Sequence, residues 1–361
     1  MRILMTADAV GGVWTYSTNL AARLETHGIE THLALMGPSP SERQRRQSRL
    51  FESNYRLEWM DDPWADVDDA GEWLLGLADA LKPDIIHLNG YAHAALPFRA
   101  PKLVVAHSCV CSWWRAVHNE SAPSEWDEYR RRVRLGLDAA DHVVAPSHAM
   151  LAALVREHGG LKSSSSVIYN GASAPKHAIC SKEPFVLAAG RLRDEGKNLA
   201  LLEQAAKRVS WLVFAAGDSG AVGNVIALGR LDRNDIAAWM ARASIFCHPA
   251  LYEPFGLAPL EAALARCALI LADIPSLREI WGDAALYVDP RNAADLAAAI
   301  DQLIGDAALR SRLADTAYRR ALLYSAETQA LHYACLYREL HASTGRESAL
   351  AIAWQRSMSS E

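Results

Sequence analysis

The chain has 361 residues, more than one hydrophobic core usually organises, so two domains of ordinary size are expected. Its hydrophobic fraction of 51% and charged fraction of 22% are typical of a globular protein and exclude a disordered one. A net charge of -5 argues against nucleic acid as a main partner, because that partner requires a predominantly basic surface.

The cysteines and the apolar runs indicate the compartment. The six cysteines include no Cys-x-x-Cys pair and lie mostly in apolar segments, which predicts free buried thiols in a reducing compartment and argues against structural zinc. The first residues lack the long apolar region of a signal peptide, and no stretch approaches the roughly 18 to 20 apolar residues of a spanning helix. We therefore expect a cytoplasmic protein.

Short apolar runs alternate with longer helical patterns along the first half, which is typical of βαβ units and a parallel sheet. The apolar runs predict strands at 2–7, 31–37, 56–60, 84–90, 103–108, 142–147 and 166–171. The helical patterns predict helices at 13–27, 67–81, 124–140 and 147–158. The first half therefore predicts one doubly wound α/β domain over residues 1–172.

A proline-containing segment, residues 173–183, interrupts this alternation and is the best candidate for a linker. The pattern then resumes with strands at 185–190, 211–217, 225–231, 245–249 and 268–272, and helices at 198–209, 234–243, 258–266 and from 293 onward. We expect a second doubly wound domain over 184–335, and a helical segment at 336–361 that packs back toward the first. Ligands of such folds bind beyond the carboxyl ends of the strands.

Gly11 and Gly12 follow the first predicted strand. Paired glycines there would let backbone N–H groups approach a phosphate at a helix N-terminus, and the alternative is a tight turn without a ligand. The dinucleotide pattern Gly-x-Gly-x-x-Gly is absent, which disfavours a nicotinamide-dependent dehydrogenase.

Two cations follow the first strand of the second domain, in the segment GRLRDEGKN. Arg191 and Lys197 would bracket a loop at the carboxyl edge of the sheet, where they would neutralise a diphosphate without a metal. The alternative is a pair of solvated basic residues.

The segment EPFGLAPLE places Glu253 and Glu261 around a turn and a helix start. Pro259 is tolerated only in the first turn of a helix, so the helix should begin near residue 257 or 258. Its free N–H groups would form an anion site. Each carboxylate would then address hydroxyl groups of the same ligand; the alternative is one favourable first-turn charge and one exposed loop residue.

In combination these motifs resemble those of the family 4 (group 1) retaining glycosyltransferases, which have the GT-B fold. The resemblance also covers GGVWTYSTNLAARL, HVVAPSHAMLAAL, VIYNGA and the long segment that begins ALYEPFGL. It implies two Rossmann-like domains around a cleft and transfer of a hexose-type sugar from a nucleoside-diphosphate sugar, with UDP- or GDP-sugars favoured. The acceptor would be a hydroxyl of a sugar, glycan or lipid-linked molecule. No cofactor and no metal are expected.

The resemblance also implies roles for residues of the second domain. Arg191 and Lys197 match the pair that binds the donor diphosphate and stabilises the leaving group. Glu261 would hold the ribose hydroxyls, and Glu253 would contact the hydroxyls of the sugar ring. The backbone after Phe255, which comprises Gly256 and Leu257, would cradle sugar and phosphate.

Two matching sites lie in the first domain. Gly12, next to Gly11, matches the loop that approaches the donor from the opposite domain, and His107 matches a histidine near the transferred sugar. The retained stereochemistry is usually explained by same-face attack; whether a residue acts as a covalent nucleophile stays open. The sequence departs from the family pattern at Ala250, where a serine is common, and at 273–279, where only Glu279 is kept, which leaves donor preference open.

Three further patterns have competing explanations. Asp66 and Asp68 form a literal Asp-x-Asp, the metal-binding motif of another glycosyltransferase fold, but they lie at an acidic helix start where first-turn charge explains them better. The arginine-rich segments 41–50 and 129–136 would allow docking on anionic lipid at the inner membrane face, although solvated basic surfaces balanced by neighbouring acids are favoured.

Trp113 and Trp114, just past His107, are candidates for acceptor contact because aromatic rings stack on sugar faces. Packing is the alternative explanation for both rings. A GT-B nucleotide-sugar epimerase and a non-catalytic nucleotide-sugar-binding protein are the alternative functions. Both are disfavoured because all four charged residues of the two donor motifs are present.

Overall fold

Two parallel sheets organise the chain. The computed structural model describes residues 1–40, 42–45, 49–173, 181–218 and 223–358, without the side chains of 43, 44 and 344–358. Most of the predicted linker, residues 174–180, lies outside the described residues. The domain bounds given above therefore stay predictions, although each predicted domain contains one sheet.

The first sheet has seven parallel strands in the order β3-β2-β1-β4-β5-β6-β7. Its strands are β1 (Arg2–Asp8), β2 (Glu30–Met36), β3 (Leu50–Glu52), β4 (Ile85–Leu88), β5 (Lys102–Val105), β6 (His142–Ala145) and β7 (Ser164–Val167). The helices between them are α1 (Gly12–Leu24), α2 (Glu42–Arg45), α3 (Trp64–Leu81), α4 (Val110–His118), α5 (Asp127–Ala139) and α6 (His148–His158).

The second sheet has six parallel strands in the order β10-β9-β8-β11-β12-β13. Its strands are β8 (Glu183–Ala189), β9 (Leu212–Ala216), β10 (Val225–Gly229), β11 (Ala243–His248), β12 (Ala268–Ala272) and β13 (Leu286–Val288). The helices are α7 (Leu199–Ala206), α8 (Arg233–Arg242), α9 (Leu257–Leu264), α10 (Pro275–Trp281), α11 (Ala293–Gly305), α12 (Ala307–Ala321) and α13 (Ala326–Met358).

Central strands of both sheets are buried on both faces, which explains why they appear in the sequence as continuous apolar runs. All five residues of β12 are buried, as are six of the seven in β1. In each sheet the strand order reverses next to the first strand of the domain, between β1 and β4 and between β8 and β11. Such switch points are where loops diverge and leave room for a ligand.

The strand predicted at 56–60 is wrong. The third strand is Leu50–Glu52, and residues 56–60 have no regular structure. The carboxylate of Glu58 accepts the backbone N–H groups of Tyr91 and Ala92, at 3.0 and 2.8 Å. This segment therefore packs through a side-chain contact with a neighbouring loop and does not join the sheet. The strand predicted at 166–171 lies earlier, as β7.

Helix α13 returns the chain to the first domain. Tyr333 and Tyr337 are fully buried in a cluster with Ile3 and Leu20 of the first domain. Ala330 belongs to the same cluster, so α13 already contacts the first domain at this residue.

The cysteines are free thiols throughout the described residues, as predicted. Cys109, Cys111, Cys247 and Cys267 are buried, whereas Cys335 is exposed, contrary to the expectation of burial. Cys180 lies outside the described residues.

Candidate active site

Loops from both sheets meet at the cleft. A Cβ atom added at Gly11 would lie 3.5 Å from Cδ of Arg191, and one added at Gly12 would lie 3.9 Å from Cδ1 of Leu257. Gly11 also has a φ of 74°, in the left-handed region that favours glycine. The structure therefore brings the glycine loop of the first domain against the two predicted donor loops of the second.

Asp194 organises the loop that carries the two predicted cations. Its Oδ1 accepts the backbone N–H of Gly196 and, from the first domain, the indole N–H of Trp113, both at 2.9 Å. Its Oδ2 lies 3.4 Å from Nη2 of Arg191, whose side chain is 49% exposed. The loop is held from both domains while the guanidinium of Arg191 stays accessible to a ligand.

Lys197, Glu253 and His248 form a buried charged cluster. Nζ of Lys197 lies 2.8 Å from Oε2 of Glu253, and Nε2 of His248 lies 2.9 Å from the same oxygen. The three side chains are 16%, 13% and 5% exposed, respectively. Their loops are also joined through the backbone, since the N–H of Leu251 donates to the carbonyl of Gly196 at 2.9 Å.

This cluster fixes the charge of Glu253. Burial alone would raise the pKa of its carboxyl group, but the positive charge of Lys197 and the hydrogen bond from His248 outweigh burial and hold the pKa well below its ordinary value. Glu253 is therefore an anion at neutral pH, and it fixes the ammonium group of Lys197 at the edge of the cleft.

The turn between β11 and α9 is held by side chains from distant segments. Oγ of Ser147 donates to the carbonyl of Pro254 at 2.6 Å, and Oγ of Ser276 donates to the carbonyl of Glu253. Gly256 has a φ of 97°, and α9 begins at the next residue, as the sequence predicts. The first amides of α9 have no partner inside the helix, which makes this end suitable for an anion.

Phe255 and Glu261 have different surroundings. The ring of Phe255 is 2% exposed and packs edge-on against Tyr324, so this residue can offer a ligand only its backbone. Glu261 lies one turn inside α9, where burial raises the pKa of its carboxyl group against the opposing charge of Arg233. The two acids of the motif therefore differ: the anion of Glu253 is paired, whereas that of Glu261 is destabilised by burial.

His107 follows β5 and is held by a polar network. Its Nε2 lies 2.7 Å from Oδ1 of Asn89, which also lies 3.1 Å from Nε2 of His87. The ring of Tyr16 contacts that of His107 edge-on, with 4.4 Å between centroids. Burial, together with the nearby His87, lowers the pKa of His107 to about 3. His107 is therefore a neutral imidazole at neutral pH.

A pocket lies at the carboxyl ends of β1, β2 and β4. Its polar and aromatic lining includes Asp8, Arg56, Trp59, Asn89 and His93. Burial raises the pKa of Asp8 to about 6, although the backbone N–H of Val10 and the charge of Arg191 act in the opposite direction. Gly11, which follows Asp8 closely in the chain, lies against Arg191, so this N-terminal pocket adjoins the predicted donor loop.

Family comparisons match both halves of the chain. Residues 10–174 match the model described as Glycosyltransferase Family 4, and residues 171–320 match Glycosyl transferases group 1. The chain belongs to family 4 (group 1) of the glycosyltransferases.

Two curated proteins illustrate the relatives of this family 4 chain. It is 27% identical to glycogen synthase of Mycobacterium tuberculosis over 280 residues, which cover 66% of this chain and 64% of that protein. It is 35% identical to O-antigen chain mannosyltransferase B of Escherichia coli over 83 residues, which cover 23% of this chain and 22% of that protein. The match therefore spans just under two thirds of the length of the glycogen synthase.

Solved structures confirm the GT-B fold of this family 4 chain. Sucrose-phosphate synthase from Thermosynechococcus elongatus superposes with a TM-score of 0.77 at 19% identity, over 95% of this chain and 100% of that one. Anabaena HepE in complex with UDP-glucose superposes with a TM-score of 0.73 at 17% identity, over 95% and 100% of the two chains.

The two tryptophans that the sequence offers as acceptor contacts lie in different places. Trp113 reaches the predicted donor loop of the second domain, where a Cβ added at Gly196 would lie 2.8 Å from its Nε1. Trp114 packs at the edge of the first-domain core and contacts the ring of His118, with 4.7 Å between centroids. Acceptor contact by either ring stays a prediction.

The Asp-x-Asp and the arginines of α5 have partners within the first domain. Oδ2 of Asp66 accepts the backbone N–H of Arg56 at 2.8 Å, and Asp68 pairs with Arg132. Arg131 pairs with Glu128 at 2.6 Å, as expected for a helix face balanced by its own acids. Within the described residues, no helix is both long and apolar enough to cross a membrane.

Several site residues were not predicted from the sequence. His248, Asn89 and Asp8 each end or directly follow a strand, so a search for polar residues at strand ends would have found them, whereas Asp194 lies inside the loop after β8. Ala250, where the family often has serine, is fully buried.

Glu279 joins the two domains. It is the one acid that segment 273–279 keeps from the family pattern. Its carboxylate accepts the backbone N–H groups of His148 and Ala149, both at 2.8 Å, and the hydroxyl of Tyr169 at 3.0 Å. It therefore satisfies free amides in the first turn of α6.

Proposed function

We propose that this chain moves a hexose-type sugar from a nucleoside-diphosphate sugar, with UDP- or GDP-sugars favoured, to an acceptor hydroxyl with retention of anomeric configuration. The observation that carries the proposal is the meeting of Arg191, Lys197 and the start of α9 opposite Gly11 and Gly12. Fixed positive charge from one domain and an open glycine backbone from the other suit a diphosphate held in the cleft.

The first role of this arrangement is to stabilise the leaving group. Departure of the nucleoside diphosphate builds negative charge on the β-phosphate, where preorganised cations and amides lower the barrier. Lys197 directs an N–H to Glu253 and, since an ammonium group has three donors, keeps others for phosphate oxygens. Two cations and the helix amides would replace a metal, so we propose transfer without a metal or cofactor.

The carboxylates would bind the two sugars of the donor. Lys197 and His248 both contact Oε2 of Glu253, which leaves Oε1 for a hydroxyl of the transferred sugar. Glu261, whose burial disfavours its charge, would gain hydrogen bonds from the ribose hydroxyls. Anabaena HepE, a fold relative, is a protein solved with UDP-glucose, and this supports the proposed donor class.

The acceptor would lie in the N-terminal pocket. Trp59 is 39% exposed there and offers a ring face to a sugar. Neutral His107 would orient a hydroxyl near the reacting carbon, with its ring held by Asn89. The relatives are named as a glycogen synthase and an O-antigen chain mannosyltransferase, which supports a saccharide acceptor. We propose that this acceptor is used in the cytoplasm, either free or lipid-linked at the inner membrane face.

A panel of UDP-, GDP- and ADP-sugars tests the proposal through thermal shift and through slow release of the nucleoside diphosphate, with and without EDTA. One nucleotide family should stabilise the protein, EDTA should have no effect, and Arg191→Ala should lower turnover by roughly 10² to 10³. Arg193→Ala is the comparison variant from the same loop, because Nε of Arg193 already donates to the carbonyl of Asp218 at 2.6 Å.

The expected pattern is stabilisation by one nucleotide family that Lys197→Ala abolishes and Arg193→Ala preserves. The anomeric configuration of the product, followed by NMR, tests retention. If no sugar nucleotide stabilises the protein, or if both arginine variants lose activity equally, the proposed donor site is wrong.

A further inference from the structure

Two buried cysteines and a histidine meet where α4 begins. Cys109 and Cys111 are each 1% exposed, and His158 ends helix α6. Sγ of Cys109 lies 3.1 Å from Nε2 of His158, and the three ligand atoms all lie within 4.8 Å of one another. Across the described ranges, no other trio of histidine, cysteine or acidic side chains meets this distance limit.

The distances suit a tetrahedral metal. Zinc binds thiolate sulfur at about 2.3 Å and imidazole nitrogen at about 2.0 to 2.1 Å, which places neighbouring ligand atoms roughly 3.6 to 3.8 Å apart. The contact between Cys109 and His158 is now a hydrogen bond and would lengthen by about 0.5 Å on metal binding. Such a change requires only side-chain movement.

We propose that Cys109, Cys111 and His158 bind one soft or borderline divalent ion, with Zn²⁺ as the expected occupant. Two thiolates would balance the charge of the ion in this buried place, and two sulfurs with one imidazole form a donor set that zinc accepts. Cys109 is also the N-cap of α4, where a negatively charged ligand is favourable.

Access and coordination number are consistent with this assignment. His158 is only partly buried, so an ion can enter beside its ring. With three protein ligands, the fourth position of a tetrahedral ion would hold water or another small ligand. The absence of a Cys-x-x-Cys pair argues only against a local zinc motif; this site forms because the fold brings the end of α6 to the start of α4.

The ion would act on the position of α4. It would join the start of α4 to the end of α6 inside the first domain, and α4 carries Trp113, which donates to Asp194 in the donor loop. The ion is therefore expected to stiffen that interdomain contact. It is not an ion for the donor diphosphate, which Arg191 and Lys197 address, so the inference does not depend on the proposed function.

Anaerobic titration of the full chain, reduced and metal-free, with Co²⁺ tests the site. One equivalent of Co²⁺ should produce a sulfur-to-cobalt charge-transfer band that Zn²⁺ abolishes. Loss of a residue that only supports a metal ligand weakens binding by up to about 100-fold. Cys111→Ser and His158→Gln each remove a ligand itself, so each should weaken Co²⁺ binding by more than about 100-fold. Cys335→Ser, at the exposed thiol, should bind as the unchanged chain does.

Circular dichroism establishes that each variant is folded. If Cys111→Ser fails to fold, His158→Gln still tests the site, because His158 is partly exposed and its replacement disturbs no core residue. Zn²⁺ should raise the melting temperature of the unchanged chain and not that of His158→Gln. The proposal is overturned by the absence of a charge-transfer band, by a band that His158→Gln leaves unchanged, or by a band that Cys335→Ser removes.

Discussion

Replacing Glu253 by Gln should lower the melting temperature of the second domain even without a ligand. The carboxylate accepts from Lys197 at 2.8 Å and from His248 at 2.9 Å, and the side chains of this cluster are at most 16% exposed. Gln keeps the shape of the side chain and one acceptor oxygen but removes the negative charge. The ammonium group of Lys197 would then be buried without its counterion.

The magnitude follows from the two contacts. Hydrogen bonds to charged groups contribute about 1.5 to 3 kcal/mol each, and breaking a buried ion pair costs about 3 to 5 kcal/mol. Because the amide of Gln retains part of one contact, we expect a loss of about 3 kcal/mol. For a domain of this size, that loss corresponds to a fall in melting temperature of roughly 6 to 12 °C.

Differential scanning calorimetry at neutral pH measures this effect, and Glu261→Gln is its matched control. Burial raises the pKa of Glu261, so ionisation at neutral pH costs folding free energy and the neutral amide should leave the melting temperature unchanged or higher. Both variants should lose sugar-nucleotide binding under the proposed function. Only Glu253→Gln should be less stable without ligand.

A double-mutant cycle with Lys197→Met separates the ion pair from other effects of the substitution. Removing both charges should destabilise the domain by less than the sum of the single changes, because neither charge is then buried alone. Equal melting temperatures for the unchanged chain and Glu253→Gln, or strictly additive losses in the cycle, would refute the argument.

Three further predictions concern the first domain. The pKa of Asp8 is about 6 in the folded chain and 3.8 in the unfolded chain, so the folded state binds the extra proton between these values. The free energy of unfolding should therefore fall by about 3 kcal/mol as the pH rises from about 4 to about 7, and Asp8→Asn should not show this fall. Parallel stability curves from denaturant titrations would contradict this. Trp113→Phe, which removes the donor to Asp194, should weaken sugar-nucleotide binding about tenfold in calorimetry, whereas Trp114→Phe should not. Asp66→Asn should leave turnover unchanged, and a large loss with manganese dependence would show a metal site.

Much of the fold could be predicted because buried parallel strands appear as apolar runs with turns at both ends. The prediction fails at 56–60, where an alternating apolar pattern is present but the carboxylate of Glu58 binds the backbone of another loop. The short β13, α4 and α10 were not predicted either, since segments of three to nine residues carry little periodicity.

The proposed donor site could be outlined from the sequence because its residues lie close together in two sequence motifs. Arg191 and Lys197 lie in one loop and Glu253 in another, and two parallel strands bring both loops to one edge of the sheet. The partners of these residues could not be assigned, because the contacts are long-range. His248 was visible only as the end of an apolar strand, and nothing in its sequence neighbourhood indicates that it donates to Glu253.

Three of the contacts that escaped prediction join the two domains, and two of them do so at the predicted donor loops. Trp113 donates to Asp194, Ser147 donates to the carbonyl of Pro254, and Glu279 accepts from the first turn of α6. The second domain supplies the charged groups, but first-domain side chains hold the two loops on which Arg191 and Glu253 lie. The proposed donor site is therefore a property of the domain interface. It follows that the second domain expressed alone should retain its sheet and yet bind a sugar nucleotide poorly.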